Sequence, residues 1–370
     1  MKHAYLDLPE GHAARMLCET LGCQYPIFGL SHSPDVVVAI CRAGGVGIWA
    51  AARHLPEEIS AIETSIRALV GPRPFGINLM LPSGLPEIGD RDALEKTIPH
   101  AHRDFVEHLH EKYAVPRDGV RGERDRIVRS EALFRTQVTA ALDGTADLFV
   151  TAIGGRTEAM TRARERGKRI VAMVGAPRHM QFVETVEADL VVAQGYDAGG
   201  HTGTVGTFSL VPAIVERAGT TPVLAAGGIG TGSQVIAALG LGAAGVWLGT
   251  VWLASEEMNL ATPLLQKLIT AGCEDTIRTR ASSGKPMRQI RTAWSDEWDE
   301  ATAPVPLGMP WQDLLVGSLE GAVTRHNVEP LLYTPAGQSV EWIRERSSVA
   351  SIMDGLVQNA VETLLRFTSK

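Results

Sequence analysis

Eight short runs of branched and aromatic apolar residues recur along the first two thirds of the chain, each followed by a stretch of helical spacing. This alternation constrains the fold more than any other property. The runs lie at 26–29, 46–49, 75–79, 148–151, 170–174, 190–193, 222–225 and 245–248. Strands that alternate with helices pair in parallel through crossovers, so the pattern calls for a parallel sheet covered by helices. Several helices carry their own signals. Ser33 and Pro34 form an N-cap and first-turn proline, Val36, Val37, Ile40 and Cys41 follow at helical spacing, and Gly44 stops the run. Further helices are predicted over 157–166, closed by Gly167, over 177–188, and over 231–241, which begins at a small hydroxyl residue and ends in glycines.

Eight βα units in about 230 residues match the usual size of a TIM barrel, whose active site is assembled from the loops at the strands' C-terminal ends. A doubly wound sheet is the main rival. It needs Gly-x-Gly-x-x-Gly between a strand and the helix after it. The chain holds Gly240-Leu241-Gly242-Ala243-Ala244-Gly245, but between a helix and the following strand, so the order is reversed. The expected fold is therefore α/β, a TIM (β/α)8 barrel with an insertion after the third strand and an added C-terminal helical region. Residues 1–25 form an N-terminal extension, 26–254 the barrel, and 255–370 helices packed on it, with a proline-rich connection at 303–310. The insertion at about 81–143 follows a strand end, so it is predicted to overhang the site as a lid.

A net charge of −7 argues against nucleic acid as a partner, and the basic residues at 117–129 are interrupted by acidic ones. With 45% hydrophobic residues, no membrane association is expected. Asp7, Pro9 and Glu10 interrupt any apolar region a signal peptide would need, so the expected location is the cytoplasm. Cys18, Cys23, Cys41 and Cys273 form no Cys-x-x-Cys pair and read as reduced, mostly buried thiols. His100, His102, His108 and His110 form two His-x-His pairs, but positions two apart on a helix point to different sides, so a solvated face is expected and no metal. Trp294 and Trp298 are expected to be buried against the barrel.

The chemistry gathers where strands end. The sixth run leads into Gln194-Gly195-Tyr196-Asp197-Ala198-Gly199-Gly200-His201. Gln194 offers an amide to a heterocycle edge, Gly199 and Gly200 allow close backbone approach, and His201 can take or give a proton near neutral pH. Asn78 closes the third run, where an amide inside apolar surroundings must find a partner. The seventh run ends in Gly227 and Gly228, and the eighth in Trp247-Leu248-Gly249-Thr250. Loops after strands seven and eight of such barrels commonly bind phosphate through backbone N–H groups.

Together these residues resemble the nitronate monooxygenase family, formerly called 2-nitropropane dioxygenases, which are FMN-containing TIM barrels. The most specific part is the segment 194–201, similar to the family's Gln-Gly-x-Glu-Ala-Gly-Gly-His with Asp197 in place of glutamate. Matches at Ala43-Gly44-Gly45-Val46-Gly47, Gly76-Ile77-Asn78-Leu79, Ala226-Gly227-Gly228-Ile229 and Leu248-Gly249-Thr250 extend it. The resemblance implies FMN contacts from Asn78, Gln194, Gly199, Gly228 and Trp247 through Thr250, with Gly200 and Gly227 beside them and His201 as the active-site histidine. Gly29, Leu30 and Ser31, at the end of strand one, would then lie under the flavin ring. The implied activity is oxidation of alkyl nitronates or nitroalkanes by molecular oxygen to a carbonyl compound and nitrite, with His201 as base. An FMN- and NAD(P)H-dependent enoyl-thioester reductase is the alternative, and a non-catalytic flavin-binding protein a third reading. Expected partners are a small-molecule substrate and oxygen, with a homodimer as a possible assembly.

Overall fold

The eight predicted runs all become strands: β1 (Ile27–Ser31), β2 (Val46–Ala50), β3 (Phe75–Met80), β4 (Leu148–Ala152), β5 (Arg169–Val174), β6 (Leu190–Gln194), then β8 (Val223–Ala226) and β9 (Gly245–Leu248) after a two-residue strand β7 (Gly200–His201). In this computed structural model, which describes residues 3–152 and 156–368, they close in parallel in the order β1-β2-β3-β4-β5-β6-β8-β9. The ends of the expected N- and C-terminal segments, residues 1–2 and 369–370, lie outside the described residues. The expected barrel is present.

Alternation along each strand divides the core in two. Phe28, Val46, Ile48, Leu148, Val150, Val171, Val192, Leu224 and Trp247 fill the barrel interior, with Phe28 and Trp247 stacked at 6.4 Å between centroids. Residues of opposite parity, such as Ile27, Trp49, Ile77 and Phe149, pack under the surrounding helices. Leu17 and Cys18 of the helix Ala13–Leu21, with Cys23 after it, join the interior set and close the barrel's lower end. The N-terminal extension is thus a plug.

The insertion is shorter than its predicted bounds. Helix Glu131–Asp143 packs on helix Pro56–Val70 and completes the third βα unit, which leaves 81–130 as the added segment. Its helix His100–Lys112 packs instead on helix Trp311–Arg325. There Val106, Leu109, Val316 and Leu319 build a satellite core around Trp294 and Trp298. The two tryptophans are buried as expected, yet in this cap and not against the barrel. On the same insertion helix His100 and His108 are exposed, while His102 and His110 hydrogen-bond to the carbonyls of Val305 and Val115.

Residues 255–370 are not purely helical. Strands β10 (Thr276–Thr279) and β11 (Met287–Ile290) form an antiparallel hairpin, and β11 continues the pairing onto β7. The last helix, Val349–Thr368, returns to the barrel flank and packs on helices Gly232–Gly240 and Pro34–Arg42. Cys18, Cys23 and Cys41 are buried, Cys273 is exposed, and all four are free thiols. Among the described residues no helix is long and apolar enough to cross a membrane.

Candidate active site

A cavity of about 420 Å³ opens at the C-terminal ends of the barrel strands. Its floor follows from strand parity. Leu30, Ala50, Asn78, Met80, Ala152, Met173 and Gln194 all line it, being in phase with the interior residues below them. Gly199, Gly200 and His201 form one wall. Asn78 is buried, and among the described residues its Nδ2 reaches only the thioether of Met173 at 3.9 Å, a weak acceptor. Its amide is left with capacity for a ligand.

Parity also separates the three strand-one residues. Gly29 faces outward, where an added Cβ would collide with Ile40 and Trp252, and the Ser31 hydroxyl contacts Met258 and accepts from the Ser33 amide. Of the three residues expected under the ring, only Leu30 lines the cavity.

The segment 194–201 is pinned from three sides. Asp197 Oδ2 accepts from the Thr207 amide at 2.8 Å, at the start of helix Thr207–Ala218. The shorter carboxylate therefore still anchors the loop, by capping a helix N-terminus. Buried Arg288 donates from Nε to the Tyr196 carbonyl at 3.0 Å and lies 4.3 Å over the Tyr196 ring. Finally, β7 pairs with β11, placing His201 opposite Met287. These contacts fix the ring's chemistry. His201 Nδ1 lies 3.1 Å from the Pro286 carbonyl. A carbonyl only accepts, so Nδ1 carries the proton and Nε2 keeps its lone pair. Burial, then the positive charges of Arg124, Arg129 and Lys285, lower the ring's pKa to about 4, against the raising effect of the Pro286 bond. The ring is neutral at pH 7.

Two more histidines line the cavity that the sequence reading missed. His32 follows β1, approaches the Ala50 carbonyl through Nδ1 at 3.3 Å, and is held to about 3 by burial and by Arg53. His179 accepts from the Gly175 amide at 3.3 Å. Position just beyond a strand's C-terminal end was the available signal for His32.

Four cations, Arg53, Arg124, Arg129 and Lys285, line the cavity, and among the described residues no Asp or Glu does. Behind them Arg124 Nε meets Glu320 at 2.7 Å, and Asp313 lies 3.6 Å from Arg124 and 3.8 Å from Arg129. Tyr333 donates to the same Glu320 at 2.6 Å. Burial raises the Glu320 pKa against the opposing pull of Arg124. The mixed-charge run at 117–129 thus turns Arg124 and Arg129 inward.

The predicted phosphate residues lie elsewhere. Gly227 (φ +108°) and Gly228 (φ +71°) line a second cavity of about 380 Å³ together with Asp197, Thr207, Ile229 and Gln338. The tail segment 336–338 runs between the two cavities: an added Cβ on Gly199 would lie 2.7 Å from the Gly337 amide, and the Gln338 amide donates to the Asp197 carbonyl. Thr250 accepts from the Gly337 amide at 2.9 Å. Trp247 belongs to the barrel interior and Leu248 to the outward core, and neither they nor Gly249 nor Thr250 line these cavities. The amides of Gly230 and Thr231 are taken by Gln234 Oε1 at 2.8 and 3.1 Å. The structure therefore brings Leu30, Asn78, Gln194, Gly199, Gly200 and His201 together and holds the glycine loops one layer away.

Comparison with known proteins follows the same lines. A family model described as nitronate monooxygenase matches residues 16–359. A Mycobacterium tuberculosis protein provisionally named a monooxygenase is 36% identical over 365 residues, covering 94% of this chain and 96% of its own length. A second protein of that organism, named as the dehydrogenase of a hydroxy-methyl-oxo-octahydroindene carboxyl-CoA, is 30% identical over 282 residues, covering 75% of this chain and 66% of its own. Among solved structures, a nitroalkane oxidase from Streptomyces ansochromogenes superimposes with a TM-score of 0.80 at 26% identity, over 95% of this chain and 99% of that one.

Proposed function

Because the chain belongs to the nitronate monooxygenase family, whose members are FMN-dependent oxidoreductases, we propose that it oxidises alkyl nitronates, or the nitroalkanes they derive from, with molecular oxygen. The products are a carbonyl compound and nitrite. The observation that carries this reading is the His201 tautomer, with the Nε2 lone pair unprotonated in a cavity lined by cations and, among the described residues, by no carboxylate. Such a wall favours an anion. Similarity to a nitroalkane oxidase supports the same chemistry.

The residues present fit FMN. An isoalloxazine is flat, apolar on its faces and polar at one edge, and a cavity of about 420 Å³ with an apolar floor and the underused amide of Asn78 matches it. Asn78 and Gln194 would hold that edge, while Gly227 and Gly228 line the neighbouring cavity on the far side of the tail segment 336–338. When bound, FMN supplies electron acceptance and delivery to oxygen. The chain's own residues do the rest. A neutral nitroalkane gives its α-proton to His201 Nε2, and the imidazolium so formed pairs with the nitronate oxygen. A pKa of about 4 makes this ring a weak base, so a nitronate arriving already ionised is the better substrate. The added segment 81–130 brings Arg124 and Arg129 to the cavity wall, and the β10–β11 hairpin brings Lys285, Pro286 and Met287.

Oxygen uptake and nitrite release with the nitronates of nitroethane and 2-nitropropane test the assignment. His201→Ala should retain yellow, flavin-loaded protein while losing turnover of neutral nitroalkanes. Absence of nitrite from every nitronate tried refutes the reading.

One observation favours a second reading, an FMN- and NAD(P)H-dependent enoyl-thioester reductase. The relative named for a carboxyl-CoA substrate handles a thioester, and a further cavity of about 460 Å³ adjoins the first at Arg53 and Arg124. Anaerobic mixing with NADH or NADPH separates the two. Rapid bleaching of the flavin favours the reductase.

A further inference from the structure

Hydrogen bonding at the cavity floor turns on one sulfur atom. Asn78 and Met173 stand on β3 and β5, with β4 between them, and both face the cavity. The Asn78 carboxamide is buried, so a partner for its N–H counts for more there than in water. Its Nδ2 meets the Met173 Sδ at 3.9 Å. A thioether accepts weakly, so this contact gives way when a stronger acceptor, such as the edge of a flavin, arrives. The amide stays available only while the sulfur stays reduced.

Met173 is also open to attack. It is half-buried and lines the cavity, so a small solute that enters the cavity reaches its sulfur. Among the described residues two more methionines line the same space. Met80 is half-buried, and Met287 is buried with its sulfur 4.0 Å from Arg124 Nη2. Only the Met173 sulfur touches the amide that the flavin edge needs.

Hydrogen peroxide transfers one oxygen atom to a thioether. The S–O bond forms as the O–O bond breaks, the sulfur is oxidised to the sulfoxide, and the peroxide is reduced to water. A sulfoxide oxygen is a strong acceptor. In the epimer whose oxygen faces Nδ2, it closes the 3.9 Å gap to ordinary hydrogen-bond length.

Resting on the assignment of Asn78 to the flavin edge, we propose that Met173 is a redox switch. Hydrogen peroxide oxidises its thioether, the sulfoxide oxygen captures the Asn78 amide, and the protein loosens its hold on FMN. An oxidase that leaks peroxide shuts itself off by this route.

The test treats FMN-loaded protein with hydrogen peroxide. Peptide mass spectrometry follows each methionine, and the fluorescence of released FMN follows the cofactor. The expected result is one added oxygen at Met173 in step with FMN release, and about a tenfold loss of FMN affinity in the oxidised protein, as for one hydrogen bond denied to the ligand. Methionine sulfoxide reductases should restore the affinity. Met173→Leu keeps the apolar volume without the sulfur, so its FMN affinity should be the same before and after treatment. Met80→Leu should still release FMN. In Asn78→Ala, oxidation of Met173 should cost no further affinity, and an equal further loss overturns the capture of the amide. FMN release with Met173 unoxidised, oxidation of Met173 without change in affinity, or protection by Met80→Leu or Met287→Leu in place of Met173→Leu overturns the proposal. A protein that takes up no FMN loses the flavin assignment and the switch with it. If FMN binds and peroxide releases it as expected but no nitronate is oxidised, the switch stands and the oxidase reading alone fails.

Discussion

The low basicity of His201 predicts a pH profile unlike that of an ordinary histidine base. Burial and the charges of Arg124, Arg129 and Lys285 bring its pKa from 6.5 to about 4, a difference of about 3 kcal/mol in favour of the neutral ring. Only the neutral ring can take the α-proton. The kcat/KM for a neutral nitroalkane should therefore stay level from about pH 8 to about pH 5 and fall about tenfold per pH unit only below about pH 4. Lys285→Gln removes one of the repelling charges, so the inflection should move upward by a few tenths of a pH unit or more. Stability runs against the measurement: the unfolded chain's histidine is protonated below about pH 6.5 while the folded one stays neutral, so stability is lost as pH falls from 6.5 toward 4. Initial rates after a brief pH jump, with recovery of activity on return to pH 8 as control, avoid that loss. A wild-type inflection near 6.5, or a downward move in Lys285→Gln, refutes the electrostatic account.

Gly199→Ala would set a methyl 2.7 Å from the Gly337 amide and 2.8 Å from the Ala336 carbonyl carbon, both backbone atoms. The tail must shift, at about 1–3 kcal/mol; an unchanged melting temperature would show that the loop and tail do not touch. Arg124→Met leaves Glu320 and Asp313 buried without their main partner, and thermal unfolding should report a loss of about 3–5 kcal/mol. Adding Glu320→Gln should restore part of it, whereas strictly additive losses contradict the coupling. Asn78→Ala should weaken FMN binding about tenfold in a fluorescence titration of the apoprotein, and an unchanged affinity removes Asn78 from the flavin edge.

The barrel was legible because its signal is local and repeated. Each apolar run needed only its own composition and its neighbours' spacing, and boundaries such as 75–79 against Phe75–Met80 differ by a residue. The hairpin of β10 and β11 escaped because Thr276–Thr279 and Met287–Ile290 are short and carry polar residues that pair only once the hairpin forms. Of the strand-one residues only Leu30 lines the cavity, and strand parity made that readable, since Leu30 is in phase with interior Phe28 and its neighbours are not.

The deeper limit concerns charge. The motif at 194–201 names a histidine and cannot say whether it is protonated. Its tautomer comes from the carbonyl of Pro286, 85 residues away. Its low pKa comes from burial together with Arg124 and Arg129, which in sequence are only part of a run where acidic residues such as Glu123 and Asp125 interrupt the basic ones. Those arginines turn inward because Asp313 and Glu320, on the distant helix Trp311–Arg325, meet them there. A loop motif therefore identifies which atom can react. The insertion and the tail, whose packing no local pattern reports, set the proton state of that atom and the charge of the molecule it meets.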